Sequence, residues 1–390
     1  MKIALVHDYL IRFGGAERVF LNLHKIFPKS EIFTLLYDEK KMGKYFLNNK
    51  VNTSFLQKFP KFWRKRQKYL LPFIPIAPET FDLREFDLVI SSSSSFVKGV
   101  ITRPSAVHIC YCHSPMRFGW DAYSSYIKEQ RKGCLTNLAI LIMMHYIRIW
   151  DKSASNRVDY FIANSKATAG RIRKFYGRES SVIYPPVKLP ALNMLRPCLE
   201  NTSFAKDVIS KGTAFDMSSK KYFLIVSQLT LYKRIDLAIT AFNKLGLPLI
   251  IIGEGSDKKR LHKMANNNIK FLDWKSDEIV EQYFQKCIAF IFPGEDDFGI
   301  APVEAMGFGK PVLAYRKGGA TETVLEGITG EFFDESVSES LADGVRRILL
   351  NLNNYSPLLI RKRAEKFSQD RFEKDIKKFV INVLEQRKLQ

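Results

Sequence analysis

Short apolar runs alternate, along the N-terminal half of the chain, with segments whose apolar residues recur at helical spacing. Residues 3–6 form the first run, and Gly14-Gly15 then opens a helical segment that carries Val19 and Leu23. Further runs that predict strands lie at residues 32–36, 88–90, 107–111, 160–163 and 182–184. Short strands separated by helices are typical of a parallel, doubly wound sheet. Residues 1–186 therefore predict one α/β domain.

The pattern fades between residues 187 and 220, where prolines, serines and scattered charges indicate a connector. A second alternation follows and predicts another α/β domain over residues 221–370. Its predicted strands are residues 222–226, 248–252, 269–272, 289–292, 311–315 and 330–333, and helices are predicted at 234–245, at 257–265 and from 338 to the end. The predicted architecture is two doubly wound domains that face each other across a cleft.

Two acidic residues, Asp296 and Glu304, stand eight positions apart around a Phe298-Gly299 turn. A strand pattern ends before them and a helix pattern opens at Pro302, so we expect one carboxylate in the loop and the other in the first helical turn. The carboxyl edge of an open α/β sheet is where such folds bind ligands. Paired acids with backbone amides between them suit a nucleotide-sugar, because the acids accept from hydroxyls and the amides donate to phosphates.

Lys233-Arg234 follows the first strand of the second domain and precedes a helix. Cations are unfavourable at helix N-termini, and this placement favours a role for Lys233 in holding a diphosphate leaving group. An exposed basic helix start is the alternative.

Two features of the first domain are further candidates. Glycines at Gly14-Gly15 allow a phosphate or sugar to approach the backbone at a helix N-terminus, although a tight turn without a ligand explains them equally well. His113 ends the strand at residues 107–111, where an imidazole can bond a substrate hydroxyl; the alternative is a histidine that ties down its loop. Arg117 and Asp121 follow in that loop and could simply pair with each other.

The net charge of +21 favours a polyanionic partner, but no nucleic-acid recognition motif accompanies it. The five cysteines have no disulfide spacing, which indicates a reducing compartment. Cys110 and Cys112 lack the second ligand pair of a zinc site. The longest apolar run, residues 138–144, is too short to span a bilayer, and we interpret it as part of a buried helix. A cytoplasmic protein without a signal peptide is expected.

Residues 58–72 combine aromatic and basic side chains in a pattern that predicts an amphipathic helix. One side would carry Phe59, Phe62, Trp63 and Leu70, and the other Lys61, Arg64, Lys65 and Lys68. This composition is typical of a helix that lies on an anionic lipid surface. The alternative is a solvated helix packed on its own domain.

Taken together, these segments resemble the retaining GT-B glycosyltransferases of family 4, and in particular the mannosyltransferase-like subgroup of cell-surface polysaccharide synthesis. The matching segments are residues 6–9, 14–19, 111–117, 163–165, 184–187, 232–236, 298–306, 318–324 and 329–330. The resemblance implies two Rossmann-like domains, an acceptor-binding one at 1–186 and a nucleotide-sugar-binding one at 221–370, with a final helix at 371–390 that packs back on the first.

The resemblance also implies a role for each matching position. Glu304 would hold the nucleotide ribose, and Asp296 would face the donor sugar. Lys233 would clamp the diphosphate, and His113 would contact the transferred sugar. The remaining contacts would come from backbone amides of Phe298, Gly299 and Ile300, and from Gly14 and Gly15 beside the phosphates. No cofactor and no metal are expected, because lysine and helix N-termini neutralise the charge.

Two positions depart from the family pattern. Asp296 replaces the usual glutamate and is one methylene shorter, although Glu295 lies beside it. Gln228 stands where the family usually has an arginine before the clamp lysine, and Arg234 or Arg117 are the candidates to replace that charge.

The resemblance implies transfer of a hexose, mannose from GDP-mannose, to a lipid-linked saccharide acceptor with retention at the anomeric carbon. The expected partners are a nucleotide-diphosphate sugar, that acceptor and an anionic membrane, with the enzyme peripheral on the inner face of the cytoplasmic membrane. A soluble UDP-sugar-dependent transferase acting on a small acceptor is one alternative. A non-catalytic nucleotide-sugar-binding partner of another transferase is the other.

Overall fold

A computed structural model of the chain describes residues 1–47, 49–66, 69–121, 123, 134–195 and 221–388. It divides into two compact units. Unit 1 comprises residues 1–186 and 372–390, and unit 2 comprises residues 187–371. Each unit is built around a single parallel sheet, so the predicted α/β class is confirmed.

Unit 1 contains a seven-stranded sheet in which every neighbouring pair is parallel. The strands are β1 Ile3–Leu10, β2 Glu31–Tyr37, β3 Val51–Thr53, β4 Leu88–Ser93, β5 Val107–Cys112, β6 Tyr160–Ala163 and β7 Ser180–Val182. Their order is β3-β2-β1-β4-β5-β6-β7. Strands β4 and β5 are buried along their whole length, as expected for a parallel sheet covered on both faces.

In the described part of unit 1 the helices are α1 Gly15–Ile26, α2 Glu39–Met42, α3 Lys61–Lys65, α4 Cys134–Ser155 and α5 Lys166–Arg171, and α13 Gln369–Lys388 enters the unit at Phe372 from the end of the chain. Helix α13 buries Phe372, Ile376, Val380 and Val383 in the same core cluster as Leu5 and Phe20. Their spacing of four, four and three residues places them on one face of the helix. The C-terminal helix is therefore held by hydrophobic burial against the first strand and first helix.

Unit 2 contains a six-stranded parallel sheet. The strands are β8 Phe223–Val226, β9 Leu249–Ile252, β10 Ile269–Leu272, β11 Phe290–Phe292, β12 Val312–Tyr315 and β13 Gly330–Phe333, in the order β10-β9-β8-β11-β12-β13. The helices are α6 Ile235–Leu245, α7 Lys258–Met264, α8 Asp277–Lys286, α9 Ile300–Gly307, α10 Ala320–Thr323, α11 Ser338–Leu350 and α12 Pro357–Glu365.

Both sheets reverse their winding direction beside their first strand. Strand β1 lies between β2 and β4, and strand β8 lies between β9 and β11. The loops that leave the carboxyl ends at such a switch point diverge and open a crevice, which is where doubly wound folds bind ligands. The loops after β1 and β4 in unit 1, and after β8 and β11 in unit 2, are therefore the places to look for a site.

The prediction of one helix over residues 58–72 is wrong. The chain makes a short 3-10 turn at Phe55–Lys58 and then the five-residue helix α3, and Pro60 separates the two. Proline has no N–H to continue a helix, and it disfavours helical backbone in the residue before it. Gln67 and Lys68 lie outside the described residues.

Other predictions also need correction. The strand predicted at residues 88–90 continues through the serine run as far as Ser93. The last strand of unit 1 is β7 at Ser180–Val182 rather than residues 182–184, and strand β3 was not predicted. Helix α4 contains the apolar run 138–144, but one face of that run is exposed, so the prediction of a buried helix is wrong for that face.

None of the helices in the described part of the chain is long and apolar enough to cross a membrane.

The packing of α13 gives a test with an internal control. Ile376 is buried in the core of unit 1, whereas Ile381, on the same helix, is exposed. We expect Ile376→Ala to lower the free energy of unfolding by about 2–5 kcal/mol, and Ile381→Ala to change it by less than about 0.5 kcal/mol. Urea denaturation of the two variants measures both, and equal losses would contradict this packing.

Candidate active site

In unit 2 a lysine and an aspartate form an ion pair at the carboxyl edge of the sheet. Lys233 ends a 3-10 turn, Leu231–Lys233, in the loop after β8, and Asp296 lies in the loop after β11. Lys233 Nζ lies 2.5 Å from Asp296 Oδ2. Because β8 and β11 are neighbouring strands, two residues 63 positions apart in sequence meet here.

This ion pair is largely withdrawn from solvent, with side-chain exposures of 14% for Lys233 and 26% for Asp296. Burial alone lowers the pKa of Lys233, but the charge of Asp296 and the hydrogen bond to it outweigh burial, and the net pKa is raised. Lys233 is therefore fully charged at neutral pH. Its ammonium group is a partly desolvated cation at the place where the sequence predicts a diphosphate clamp.

Glycines let other backbone segments approach the lysine loop closely. A Cβ atom at Gly294 would lie 2.7 Å from the carbonyl oxygen of Lys233, and one at Gly255 would lie 2.1 Å from that of Leu229. Leu229 N–H also donates to the carbonyl of Glu254 at 2.9 Å. Any side chain at Gly294 or Gly255 would displace the loop, so these glycines fix the position of Lys233. The prediction of site residues did not include them, although both lie just after strands, where glycine is a signal for close backbone approach.

Arg234 is not directed at Asp296 in this structure. It is the N-terminal cap of α6, with a left-handed φ of 51°, the only positive φ of a non-glycine residue in the described part of the chain. This conformation costs on the order of 1–2 kcal/mol. Its guanidinium donates to Ser336 Oγ at 2.7 Å and to Asp236 Oδ1 at 3.4 Å. The helix predicted from residue 234 begins one residue later, at Ile235.

The acidic loop is braced by a second glycine pair, Gly318-Gly319. Gly319 N–H donates to the carbonyl of Asp296 at 2.9 Å. A Cβ atom at Gly319 would lie 2.3 Å from Phe298 Cα, and one at Gly318 would lie 2.2 Å from the carbonyl oxygen of Asp296. Gly318 also has a φ of 63°, a conformation that disfavours other residues. The loop that carries Asp296 is thus held by backbone-to-backbone contact.

Helix α9 begins directly after this loop. Gly299 is its N-terminal cap, with a φ of 84°, and Phe298 is buried against Phe367 at a ring distance of 5.5 Å. The N–H groups in the first turn of a helix have no acceptor within the helix and favour anions; Ile300 opens that turn. Glu304 is half-buried and lies in the second turn of α9, one turn later than predicted, because the helix begins at Ile300 rather than Pro302.

Gln228 stands in the loop after β8 with its side chain exposed. Its carbonyl oxygen accepts from Thr230 N–H at 3.1 Å and from Ser227 Oγ at 3.1 Å. Through its backbone, Gln228 helps to shape the turn that leads to Lys233.

In unit 1 two histidines share one serine at the carboxyl edge of the sheet. Ser92 Oγ lies 2.8 Å from His113 Nε2 and 3.1 Å from His7 Nδ1. His7 Nε2 in turn faces Glu17 at 3.8 Å. Burial, followed by the charge of His7, lowers the pKa of His113 to about 3. His113 is therefore a neutral imidazole at neutral pH, and among the described residues only Ser92 bonds its ring, through Nε2.

Asp8, next to His7 on β1, has a carboxylate that is fully engaged by the backbone of its own unit. Both oxygens accept from successive N–H groups, at 2.6 to 2.9 Å, and the donors are Ser94, Ser95, Phe96 and Val97. Asp8 thus anchors the loop after β4, which follows directly from the strand that carries Ser92.

The glycine loop of unit 1 lies at the start of α1. Gly14 is the N-terminal cap and Gly15 is the first helical residue. A Cβ atom at Gly14 would lie 2.9 Å from Glu17 Oε2. Gly14-Gly15 therefore lies beside the polar cluster of His7, Glu17, Ser92 and His113.

Arg117 is on the loop after β5 and its Nε lies 3.8 Å from Asp121. Asp121 also accepts from Arg171 Nε at 2.9 Å. The ion pair between Arg117 and Asp121, which the sequence left open as an alternative, is present, and Arg171 is an additional partner of the same carboxylate.

No group of three or more histidine, cysteine, aspartate or glutamate side chains in the described ranges has the geometry of a metal site. Cys110 and Cys112 are both buried and form no disulfide, and burial, followed by the hydrogen bond between the two thiols, raises the pKa of the Cys112 thiol.

Two family models match the chain. The one described as "Glycosyl transferases group 1" matches residues 211–369, and the one described as "Glycosyltransferase Family 4" matches residues 13–189. Together the two matches span both units. Each match lies within one predicted domain together with the connector predicted at residues 187–220.

Individual relatives are similar at low identity over most of the chain. The "Uncharacterized glycosyltransferase MJ1178" of Methanocaldococcus jannaschii is 23% identical over 363 residues, which covers 90% of this chain and 89% of that protein. The "Alpha-1,3/1,6-mannosyltransferase ALG2" of Dictyostelium discoideum is 23% identical over 389 residues, 87% of each. The crystal structure of Anabaena Alr3699/HepE in complex with UDP-glucose superposes with a TM-score of 0.66 at 18% identity, over 98% of this chain and 100% of that one.

The depressed pKa of His113 predicts acid sensitivity. A histidine in an unfolded chain has a pKa of about 6.5, whereas the folded state holds that of His113 at about 3. The stability that neutral His113 contributes is therefore complete above about pH 6.5 and is lost as the pH falls toward 3, by up to about 1.4 kcal/mol per pH unit. We expect His113→Gln to flatten this fall in urea denaturation at a series of pH values. His145→Gln, at an exposed position of the same unit, should keep the parent slope; a parent slope in His113→Gln would contradict the assignment.

Proposed function

This chain belongs to the family 4 glycosyltransferases, and we propose that it transfers mannose from GDP-mannose to a lipid-linked saccharide acceptor in cell-surface polysaccharide biosynthesis. The observation that carries the proposal is the partly buried Lys233–Asp296 pair next to the N-terminus of α9. It combines a cation, free helix amides and a carboxylate at the switch point of one sheet. These are the groups that a sugar linked to a diphosphate needs.

Lys233 exchanges partners when the donor binds. Before binding, its ammonium group neutralises Asp296 at 2.5 Å. A diphosphate carries more negative charge than a carboxylate and is also drawn to the amides at the start of α9. Lys233 then bonds the phosphate oxygens, which leaves Asp296 to accept hydrogen bonds from hydroxyls of the sugar. As the sugar–phosphate bond breaks, Lys233 stabilises the charge that develops on the leaving group, so no metal ion is required.

Because two positions depart from the family pattern, Lys233 is the main side chain of unit 2 that can stabilise the charge on the phosphates. Gln228 is neutral, and Arg234 is engaged by Ser336 and Asp236. We therefore assign phosphate stabilisation in unit 2 to Lys233 and the α9 amides. Glu304, half-buried on α9, binds the ribose hydroxyls.

His113 and the Gly14-Gly15 loop supply the contribution of unit 1. Ser92 engages Nε2 of His113, which leaves Nδ1 for a hydroxyl of the transferred sugar. Because the pKa of His113 is far below neutrality, the ring acts as a neutral hydrogen-bonding group and not as an acid. The helix N-terminus at Gly14-Gly15 favours the phosphates.

Retention at the anomeric carbon follows from transfer on a single face of the sugar. The transition state is oxocarbenium-like, as in glycoside hydrolysis. The departing phosphate oxygen takes the proton of the acceptor hydroxyl while that oxygen forms the new glycosidic bond. The products are the glycosylated acceptor and GDP.

Mannose is supported by the relationship to alpha-1,3/1,6-mannosyltransferases. One observation favours a different donor, because the Anabaena neighbour holds UDP-glucose. A UDP-sugar-dependent transferase acting on a small soluble acceptor is thus the second candidate. A lipid-linked acceptor requires the enzyme to reach a membrane. For the mannosyltransferase proposal this is the inner face of the cytoplasmic membrane. The basic and aromatic segment around α3 is suited to such an anionic surface.

A donor panel tests the proposal directly. We expect GDP to stabilise the protein against heat, by about 2.7 kcal/mol at a hundredfold excess over its Kd. We also expect GDP-mannose to be turned over faster than UDP-glucose, UDP-galactose or UDP-N-acetylglucosamine, with nucleotide release as the readout. If GDP neither stabilises the fold nor inhibits turnover, the donor assignment is wrong, and stabilisation by UDP would establish the second candidate.

The ribose role of Glu304 has its own test. A hydrogen bond to a charged group contributes about 1.5–3 kcal/mol, so we expect Glu304→Gln to weaken GDP binding roughly ten- to hundredfold in calorimetry. Glu335→Gln changes an exposed acid of the same unit and should leave the affinity as it is. Unchanged GDP affinity in Glu304→Gln would show that Glu304 does not hold the ribose.

A further inference from the structure

Helix α4 of unit 1 has two apolar faces, and only one of them is covered. Its inner face buries Met144 and Ile147 completely in the core of the unit. Its outer face exposes large apolar side chains at 43% to 64% of their surface, and these are Leu138, Leu141, Ile142, Tyr146 and Ile149. Successive members of this set are three, one, four and three residues apart, a spacing that places them in one continuous stripe along the helix. An exposed stripe of this size marks an interaction surface; below it is called the α4 stripe.

A second exposed apolar group borders the same core cluster. The segment from α3 to the turn before β4 buries Leu70 and Ile74 in the cluster that also contains Met144 and Ile147 of α4. The same segment exposes large side chains at 37% to 55%, and these are Phe62, Trp63, Tyr69, Phe73 and Ile76. Aromatic rings of this kind are typical of the boundary between water and lipid. Both groups thus belong to the part of unit 1 built over one core cluster.

The charges around these groups are positive. Residues 51–78 contain six lysines and arginines and no acid. Lys61 and Arg66 are exposed, and the guanidinium of Arg66 lies 4.8 Å from the ring centre of Phe62. The single acid of α4, Asp151, is buried and paired with Lys98, so it presents no negative charge to the surface. Apolar side chains flanked by cations favour an anionic lipid surface.

A second copy of this chain is a weaker occupant. Each copy carries a formal net charge of +21, so pairing these surfaces would bring like charges together, which is unfavourable. An anionic bilayer supplies the opposite charge and an apolar interior at the same time.

We propose that the α4 stripe inserts into the acyl boundary of an anionic leaflet, while Lys61, Arg64 and Arg66 contact the lipid headgroups. This proposal rests on the proposed function only for the assumption that the enzyme works at a membrane. It assigns insertion into the bilayer to α4 rather than to the basic segment around α3. Cations alone would give a contact that salt abolishes. An inserted stripe adds binding that persists at raised ionic strength.

The test uses the whole protein and vesicles of phosphatidylglycerol and phosphatidylcholine in equal parts, with pure phosphatidylcholine for comparison. In co-sedimentation we expect Ile142→Asn combined with Ile149→Asn to weaken binding to the mixed vesicles at least about tenfold. Leu358→Asn combined with Leu359→Asn is the matched control, since both leucines are exposed on unit 2; it should bind within about twofold of the parent. A second pair on the stripe, Leu141→Asn with Tyr146→Asn, should repeat the loss.

Three outcomes would overturn the proposal. The first is parent-like vesicle binding by both stripe variants, and the second is an equal loss in the unit 2 control. The third is a parent dimer, seen by sedimentation without vesicles, that the stripe variants dissociate. Melting temperatures close to that of the parent would show that the variants fold. Thermal stabilisation by GDP without vesicles is measured in parallel: its absence in the parent argues against the proposed donor, whereas vesicle binding decides the role of α4.

Discussion

All strands of each unit run parallel, and this constraint determines where chemistry can occur in this protein. Parallel strands end on the same edge, so their loops gather there, and the reversal of winding at β1 and at β8 separates the loops enough to admit a ligand. In unit 2 that edge brings Lys233 and Asp296 together. In unit 1 it brings His7, Ser92 and His113 together. Both clusters of side chains form only because strands that are far apart in sequence pair as neighbours in the sheet.

Charges at these edges are balanced locally, and the balance differs between the two units. The carboxylate of Asp8 accepts hydrogen bonds from four backbone amides and has a structural role. Asp296 is paired through Oδ2 with the side chain of Lys233 and accepts through Oδ1 from the N–H of Asp297 at 3.2 Å. In the proposed mechanism a diphosphate replaces Asp296 as the partner of Lys233, whereas the backbone donors of Asp8 stay in place. The loop of Lys233 is held by close backbone approach at Gly294, and the loop of Asp296 by close approach at Gly318 and Gly319.

Much of the fold followed from apolar periodicity. Runs such as those of β1, β5 and β8 are continuous and bounded by polar or turn residues, and the family resemblance added the identity of the acidic loop. The errors have physical causes. The segment around α3 has the composition of an amphipathic helix, yet Pro60 separates its 3-10 turn from a helix of only five residues. Residues 91–93 look like a serine loop, but hydrogen bonds to β1 and β5 on either side keep them in the sheet. The stretch from 138 to 144 reads as buried because composition does not reveal which face of a helix finds a partner.

The sequence by itself determined the α/β class, the strands of both sheets apart from β3, and the residue types of the candidate site, since these depend on local pattern and on motif identity. Tertiary structure alone decided which of those residues meet. It pairs Lys233 with Asp296, turns Arg234 toward Ser336, and buries His113 deeply enough to keep it neutral. It also leaves one side of α4 uncovered. Each of these features depends on which strands lie next to each other and on how completely the surrounding chain excludes water. Neither the strand neighbours nor the burial of a side chain can be read from a short stretch of sequence.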